Sequence, residues 1–136
     1  MNRRLFELIL AVKRRCQCNE EQIQEELGLT ASQFHGLIVL DAGGEVAGCE
    51  FARRMGLSPS RGSRVLNSLV TSGLVATRNR PDDRRTMEIS LTSTGRRMKN
   101  RIIERMKACE SRVCDRLDDS GVRRVREALE LLETVL

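Results

Sequence analysis

The stretch SPSRGSRVLNSLVTSGLVATRNRPDDRRTMEISLTST, Ser58 to Thr94, decides the fold. Ser58 has the chemistry of a helix N-cap, and Pro59 suits the first helical position, where the missing N–H would have had no partner. Val65, Leu66 and Leu69 recur at helical spacing on one face, which turns Ser60, Arg61, Ser63, Arg64, Asn67 and Ser68 away from the core. Gly73 stands where a helix commonly ends in the left-handed conformation. Two alternating runs follow, Leu74 to Arg80 and Thr86 to Thr92, with Met87, Ile89 and Leu91 pointing one way and Thr86, Glu88 and Ser90 the other. Between them PDDRR cannot continue a strand, because Pro81 removes a ladder donor and the two Asp favour a turn. Arg84 and Arg85 are thereby placed at a protruding hairpin tip. A polar, basic helix followed by a basic hairpin predicts a winged helix-turn-helix, a shape that reads DNA.

Working outward, LTASQF (Leu29–Phe34), CEFARRMGLSPSRGSRVLNSLVTSGLV (Cys49–Val75) and PDDRRTMEISLTSTG (Pro81–Gly95) together resemble the multiple antibiotic resistance regulator (MarR) family of transcription factors. The resemblance covers more than half the chain. Recognition helix, acidic-basic wing turn and LTSTG entry to a long helix come in the family's order. It implies a recognition helix in the major groove and a wing at the minor groove of one duplex. Carried over by position, Ser60, Arg61, Ser63, Arg64 and Asn67 are the helix contacts, and Asp83 and Arg85 match an Asp-x-Arg pattern in which Asp holds the turn and Arg approaches the groove. Arg80 and Arg84 complete the expected DNA-binding set on the wing. Gly62 departs from the family, which usually has an apolar β-branched residue there, so the recognition helix is expected to be either looser or closer to its neighbour.

The remaining elements are predicted to be helical. Leu5, Leu8, Ile9 and Val12 form a first apolar stripe, which is expected to end near Arg15 where CQCN interrupts it. Asn19 and Gln22 resemble a capping box that would open a second short helix ending at Gly28. Thr30 caps a third, with Phe34, Leu37, Ile38 and Leu40 inward. Cys49 is expected at a cap, before a helix Glu50 to Met55. A long helix starts at Ser93 or Thr94 and carries Met98, Ile102, Met106, Cys109 and Val113. Asp118 caps a last helix with apolar Val122, Val125, Leu129, Leu132, Val135 and Leu136.

The chain is thus expected to be mainly α with a small β-hairpin wing: one unit over 1–136, with a winged helix-turn-helix core at 29–95. Regions 1–28 and 96–136 form a helical dimerisation arm, since they carry more apolar surface than so small a core can bury. A homodimer would present two recognition helices to a pseudo-palindromic operator in double-stranded DNA, with half-sites roughly 10 bp apart. The charge is distributed accordingly: the net +5 conceals thirteen Lys and Arg against four Asp and Glu within residues 53–105, so the DNA-binding half is the basic one. No apolar run approaches the roughly 18 residues of a membrane span, and no secretory h-region follows the N-terminus, which points to a cytoplasmic protein.

An enzyme has little support. The chain holds one His, no glycine-rich phosphate loop and no Gly-x-Ser-x-Gly elbow; a Cys nucleophile paired with His35 is the sole catalytic pairing to propose. A winged-helix module that binds protein instead of DNA is the other alternative, disfavoured by the basic wing. Five cysteines without a secretory signal point to reduced thiols, metal ligation or redox sensing. Cys109 lies on an apolar stripe, and Cys114 is about 140° round from it. Cys16 and Cys18 at a helix break would let two sulfurs converge on one ion. Resemblance to zinc-sensing members adds His35 and Cys109 as ligands, a set that suits zinc, an iron–sulfur cluster or copper(I). Thiol oxidation and a small organic effector are the other signals in view.

Overall fold

The computed structural model describes residues 2–83 and 86–136. Its elements are α1 (Leu5–Leu27), α2 (Ala31–Val39), β1 (Val46–Ala47), α3 (Gly48–Met55), α4 (Pro59–Thr71), β2 (Val75–Asn79), β3 (Met87–Leu91), α5 (Ser93–Asp115) and α6 (Asp119–Val135). The chain divides into two compact units, one running to Ile102 and the other Ile103–Leu136, so that the boundary falls within α5.

In the first unit the core is built from Phe34, Leu37 and Leu40 of the α2 region, Phe51 of α3, Leu69 of α4, Ile89 of β3 and Ile102 of α5, all fully buried. Each such side chain stabilises the fold by roughly 1.5–3 kcal/mol relative to exposure. The C-terminal turns of α1 join this core through Ile23 and Leu27, and α1 ends at Gly28 with φ 69°, where Leu29 N–H donates to the Gln24 carbonyl at 2.9 Å.

The long α1 corrects the expectation of two helices broken at CQCN. That stretch contains neither Gly nor Pro, and its residues lower helix propensity only by about 0.7 kcal/mol each at most. A side-chain hydrogen bond from Gln17 to Glu21, 3.2 Å, spans it. Asn19 and Gln22 are therefore interior helical positions and not a cap. The reciprocal box lies instead at Thr30: Gln33 N–H donates to Thr30 Oγ1 and Thr30 N–H to Gln33 Oε1, both at 3.1 Å. Ile38, expected inward, is 36% exposed, because it stands about 100° round from Leu37 on α2.

The carbonyls at the end of α2 are met by two cations. Lys99 Nζ, on α5, donates to the carbonyls of Leu40 and Ile38, and Arg54 Nη1 donates to that of Val39 at 3.0 Å. Cations suit a helix C-terminus. Burial of its ammonium lowers the Lys99 pKa.

The sheet has the order β1-β3-β2, with every pair antiparallel. The hairpin was legible, although each strand is one residue shorter at either end than its alternation suggested. β1 was not: two residues, Val46 opposite Ile89 and Ala47 opposite Glu88, are too few for any periodicity. Cys49 is accordingly the second residue of α3 and not its cap, which is Ala47. On β3 Ile89 and Leu91 are buried, whereas Met87 is 42% exposed where the hairpin projects beyond the core. The cap of α5 is Thr92, whose Oγ1 accepts from Gly95 N–H at 3.0 Å. A Cβ on Gly95 would run into the Leu74 carbonyl, so the glycine of LTSTG lets the helix pass the root of the wing.

The second unit is an α-hairpin. Asp118 Oδ1 accepts from Gly121 N–H at 2.6 Å and caps α6 as the sequence predicts. Val113 and Leu117 line a groove of about 350 Å³ with Val122, Val125 and Leu129, rimmed by Glu130 and Glu133. Beyond it Val135 and Leu136 stand 70% and 82% exposed.

Candidate nucleic-acid interface

Helices α3 and α4 form the helix-turn-helix. Gly56, φ 68°, ends α3 in the left-handed conformation that glycine adopts without strain. Ser58 then caps α4, its Oγ accepting from Arg61 N–H at 3.3 Å, with Pro59 at the first position. Gly62, Val65, Leu66 and Leu69 are buried, and Ser60, Arg61, Ser63, Arg64 and Asn67 are exposed. The five residues expected to contact DNA thus share the solvent side of one well-capped helix. Among the described residues neither Arg61 nor Arg64 is in an ion pair. Arg53 and Arg54 of α3, by contrast, are both bound to Glu50, at 2.5 and 3.2 Å. Those two hydrogen bonds, from Arg53 first and then Arg54, hold the Glu50 carboxyl down to about 2.

At Gly62, where the chain departs from the family pattern, α4 lies close against its neighbour. A Cβ there would fall 2.6 Å from Ala52 Cβ on α3. Small residues on both helices let the backbones approach.

On the wing, Asp83 Oδ2 accepts from the Thr86 hydroxyl at 2.9 Å and the Asp83 carbonyl from Thr86 N–H at 3.1 Å, so this Asp does hold the turn. Arg84 and Arg85 lie outside the described residues. Arg80 Nε donates to Glu88 Oε1 at 2.7 Å, and Arg78 Nη2 reaches Glu45 at 2.9 Å and Glu88 at 3.3 Å. With Glu45 alongside, the hydrogen bonds from Arg80 and Arg78 hold the Glu88 carboxyl down to about 2. The charge of Arg80, placed in the DNA-binding set, is therefore largely balanced within the wing. This cluster was missed by sequence reading, although Arg78 and Arg80 two apart, with Glu88 on the next strand, carried the signal. Between α3, α4 and the wing runs a groove of about 310 Å³ whose walls include Cys49, Ser63 and Thr86.

The residues expected to hold a metal are placed less favourably. Because α1 is unbroken, Cys16 and Cys18 lie about 200° apart around it and their sulfurs diverge. Cys16 shares a cleft of about 390 Å³ with His35, whose Nε2 lies 3.1 Å from Glu20 Oε2. Cys18 is exposed. Cys109 belongs to the second unit, where Arg112 Nη2 donates to its sulfur at 3.2 Å. Among the described residues no three His, Cys, Asp or Glu side chains are gathered where they could hold one ion.

The family model described as MarR family matches residues 27–86. The chain is 30% identical over 106 residues to the HTH-type transcriptional repressor Rv2887 of Mycobacterium tuberculosis, covering 78% of this chain and 76% of that protein. The chain belongs to the MarR family. A relative named as a transcriptional repressor lends no support to the pairing of a Cys nucleophile with His35. A further relative, the uncharacterized protein Rv2011c of Mycobacterium tuberculosis, is 34% identical over 85 residues, 62% of this chain; the match spans 59% of that protein's length. Among solved structures, apo MarR from E. coli superposes with a TM-score of 0.80 at 20% identity, covering 97% of this chain and 98% of that one. RV1404 from Mycobacterium tuberculosis gives 0.81 at 19%, covering 98% and 95%. These two likenesses establish the MarR winged-helix fold. No helix among the described residues is long and apolar enough to cross a membrane.

Proposed function

We propose that the chain is a homodimeric, cytoplasmic transcriptional repressor that binds a pseudo-palindromic operator with α4 in the major groove and the wing at the minor groove. The observation that carries this is the solvent face of α4. Ser60, Arg61, Ser63, Arg64 and Asn67 are exposed together there, and its two arginines are unneutralised, in a chain where neighbouring arginines are paired. Short hydroxyl and amide side chains with free guanidiniums suit base edges and phosphates. The repressor reading is supported by the name of the relative Rv2887. Dimerisation is supported by exposed apolar side chains in both units, Leu5 and Phe6 on α1 and Leu129, Leu131, Val135 and Leu136 on or just after α6.

The signal is read as a small organic effector. The cleft of about 390 Å³ lined by Lys13, Cys16, Glu20, Gln24 and His35 lies in the range of small-molecule sites, and the diverging thiols weaken the alternatives of metal ligation and disulfide formation. The experiment is enrichment of duplexes from a randomised pool, followed by mobility shifts at two salt concentrations. Selective binding that weakens steeply with salt is expected. Absence of any shift at low salt would favour the protein-interaction alternative.

A further inference from the structure

We propose that Gln33 is a positioning residue for the recognition helix: its buried amide locks the roll of α4 about its own axis and thereby sets sequence selectivity. This rests on the reading of α4 as the DNA reader. Gln33 and Gln24 are the buried polar side chains among the described residues. Both ends of the Gln33 amide are engaged. Its Oε1 accepts from Thr30 N–H at the start of α2, and its Nε2 donates across to α4, to Ser68 Oγ at 3.1 Å and Ser72 Oγ at 2.9 Å. Ser68 and Ser72 are four residues apart, hence on one side of the helix, and Nε2 sits astride them.

One turn further along α2, Gly36 is the place of close approach. A Cβ there would lie 3.0 Å from Leu69 Cδ1 and 3.5 Å from Val65 Cγ1. Apolar packing at such a point fixes the distance between helices but resists roll weakly, because methyl groups slide over one another without losing a directional bond. Two hydrogen bonds from one amide, itself fixed by the cap of α2, are directional. The lever is long. A roll of about 10° moves a guanidinium roughly 9 Å from the helix axis by about 1.5 Å, enough to lose a base-edge hydrogen bond whose tolerance is a few tenths of an ångström. Phosphate contacts made by flexible side chains tolerate such a shift far better.

The test compares wild type, Ser68→Ala/Ser72→Ala and Ser68→Thr/Ser72→Thr on two probes: the duplex that the wild type enriches from a randomised pool, and a scrambled duplex of the same length. The double Ala variant keeps the Thr30–Gln33 box and loses only the bridge to α4. Its preference for the enriched duplex should fall about tenfold, while affinity for the scrambled duplex and the salt slope stay unchanged; the double Thr variant, which keeps both hydroxyls, should restore it. Thr30→Ala, which removes the cap of α2 and leaves the bridge, should lower the melting temperature without moving the preference. A double Ala variant that discriminates like wild type overturns the proposal, as does one whose affinity drops equally on both duplexes. Failure of the wild type to enrich any sequence would instead overturn the DNA-reading function, and this inference with it.

Discussion

Gly62 and Ala52 face each other across the helix-turn-helix so closely that a Cβ on Gly62 would lie 2.6 Å from the Ala52 Cβ and 3.2 Å from its Cα. Gly62→Ala should therefore destabilise the protein, although alanine is the better helix former. The gain in propensity is roughly 0.8–1 kcal/mol, whereas overpacking against another helix costs typically 1–3 kcal/mol and would also tilt α4. Ala52→Gly in the same chain should recover part of the loss. Chemical denaturation of the single and double variants measures both, and a Gly62→Ala protein more stable than wild type would show that the two helices separate easily.

The α4 and wing arginines should respond differently to substitution. Arg64→Ala should weaken binding to the enriched duplex by about 1–3 kcal/mol and relax preference at one base pair. Glu88→Gln should strengthen binding to any duplex and steepen its salt dependence, because Arg80 loses its partner carboxylate and Arg78 keeps Glu45 alone; each arginine that then meets a phosphate adds nearly one unit to the slope. Titrations at several salt concentrations read both effects, and an unaltered slope for Glu88→Gln would mean that these arginines do not face the duplex.

Glu50 should contribute to acid sensitivity. Its folded pKa, about 2, lies below the ordinary 4.5, so the folded state binds fewer protons and the contribution is fully present above pH 4.5. It is lost as pH falls from 4.5 towards 2. Replacement by Gln should flatten that part of the stability profile, leaving neutral pH less affected than full loss of the cluster would imply, since Arg53 is exposed and Glu50 and Arg54 remain partly open to solvent screening. Urea midpoints at a series of pH values would reveal it; parallel wild-type and Glu50→Gln profiles would contradict it.

Deletion from Val122 onward should give a monomer or an insoluble chain, because Val125, Leu129 and Val135 leave large exposed apolar surface that a partner is expected to cover. Sedimentation of the truncated protein decides, and a soluble dimer would place the interface elsewhere.

The helix-turn-helix and wing were legible because their signals are local. Ser58-Pro59, Gly73, the alternation of Ile89 and Leu91 and the Asp83 turn each act within a few residues of chain, where capping and turn chemistry operate whatever the rest of the fold does. The break at CQCN was misread for a related reason. Apolar periodicity lapses where a helix leaves the core, not only where it ends, and α1 continues because no residue in it forbids helix. That correction also separates Cys16 from Cys18.

The sequence by itself determined that Ser60, Arg61, Ser63, Arg64 and Asn67 face outward on α4, whereas Ser68, read outward with them, is half-buried and bonded to Gln33. Tertiary structure alone decided that Gly62 meets Ala52, that Gln33 spans to Ser68 and Ser72 and that Val46 completes the sheet. Most of these contacts join residues well apart in the chain, and even the nearer ones depend on how helices and strands are packed. Hydrogen bonds and steric contacts depend on separation in space to within tenths of an ångström, a quantity that spacing along the chain does not carry.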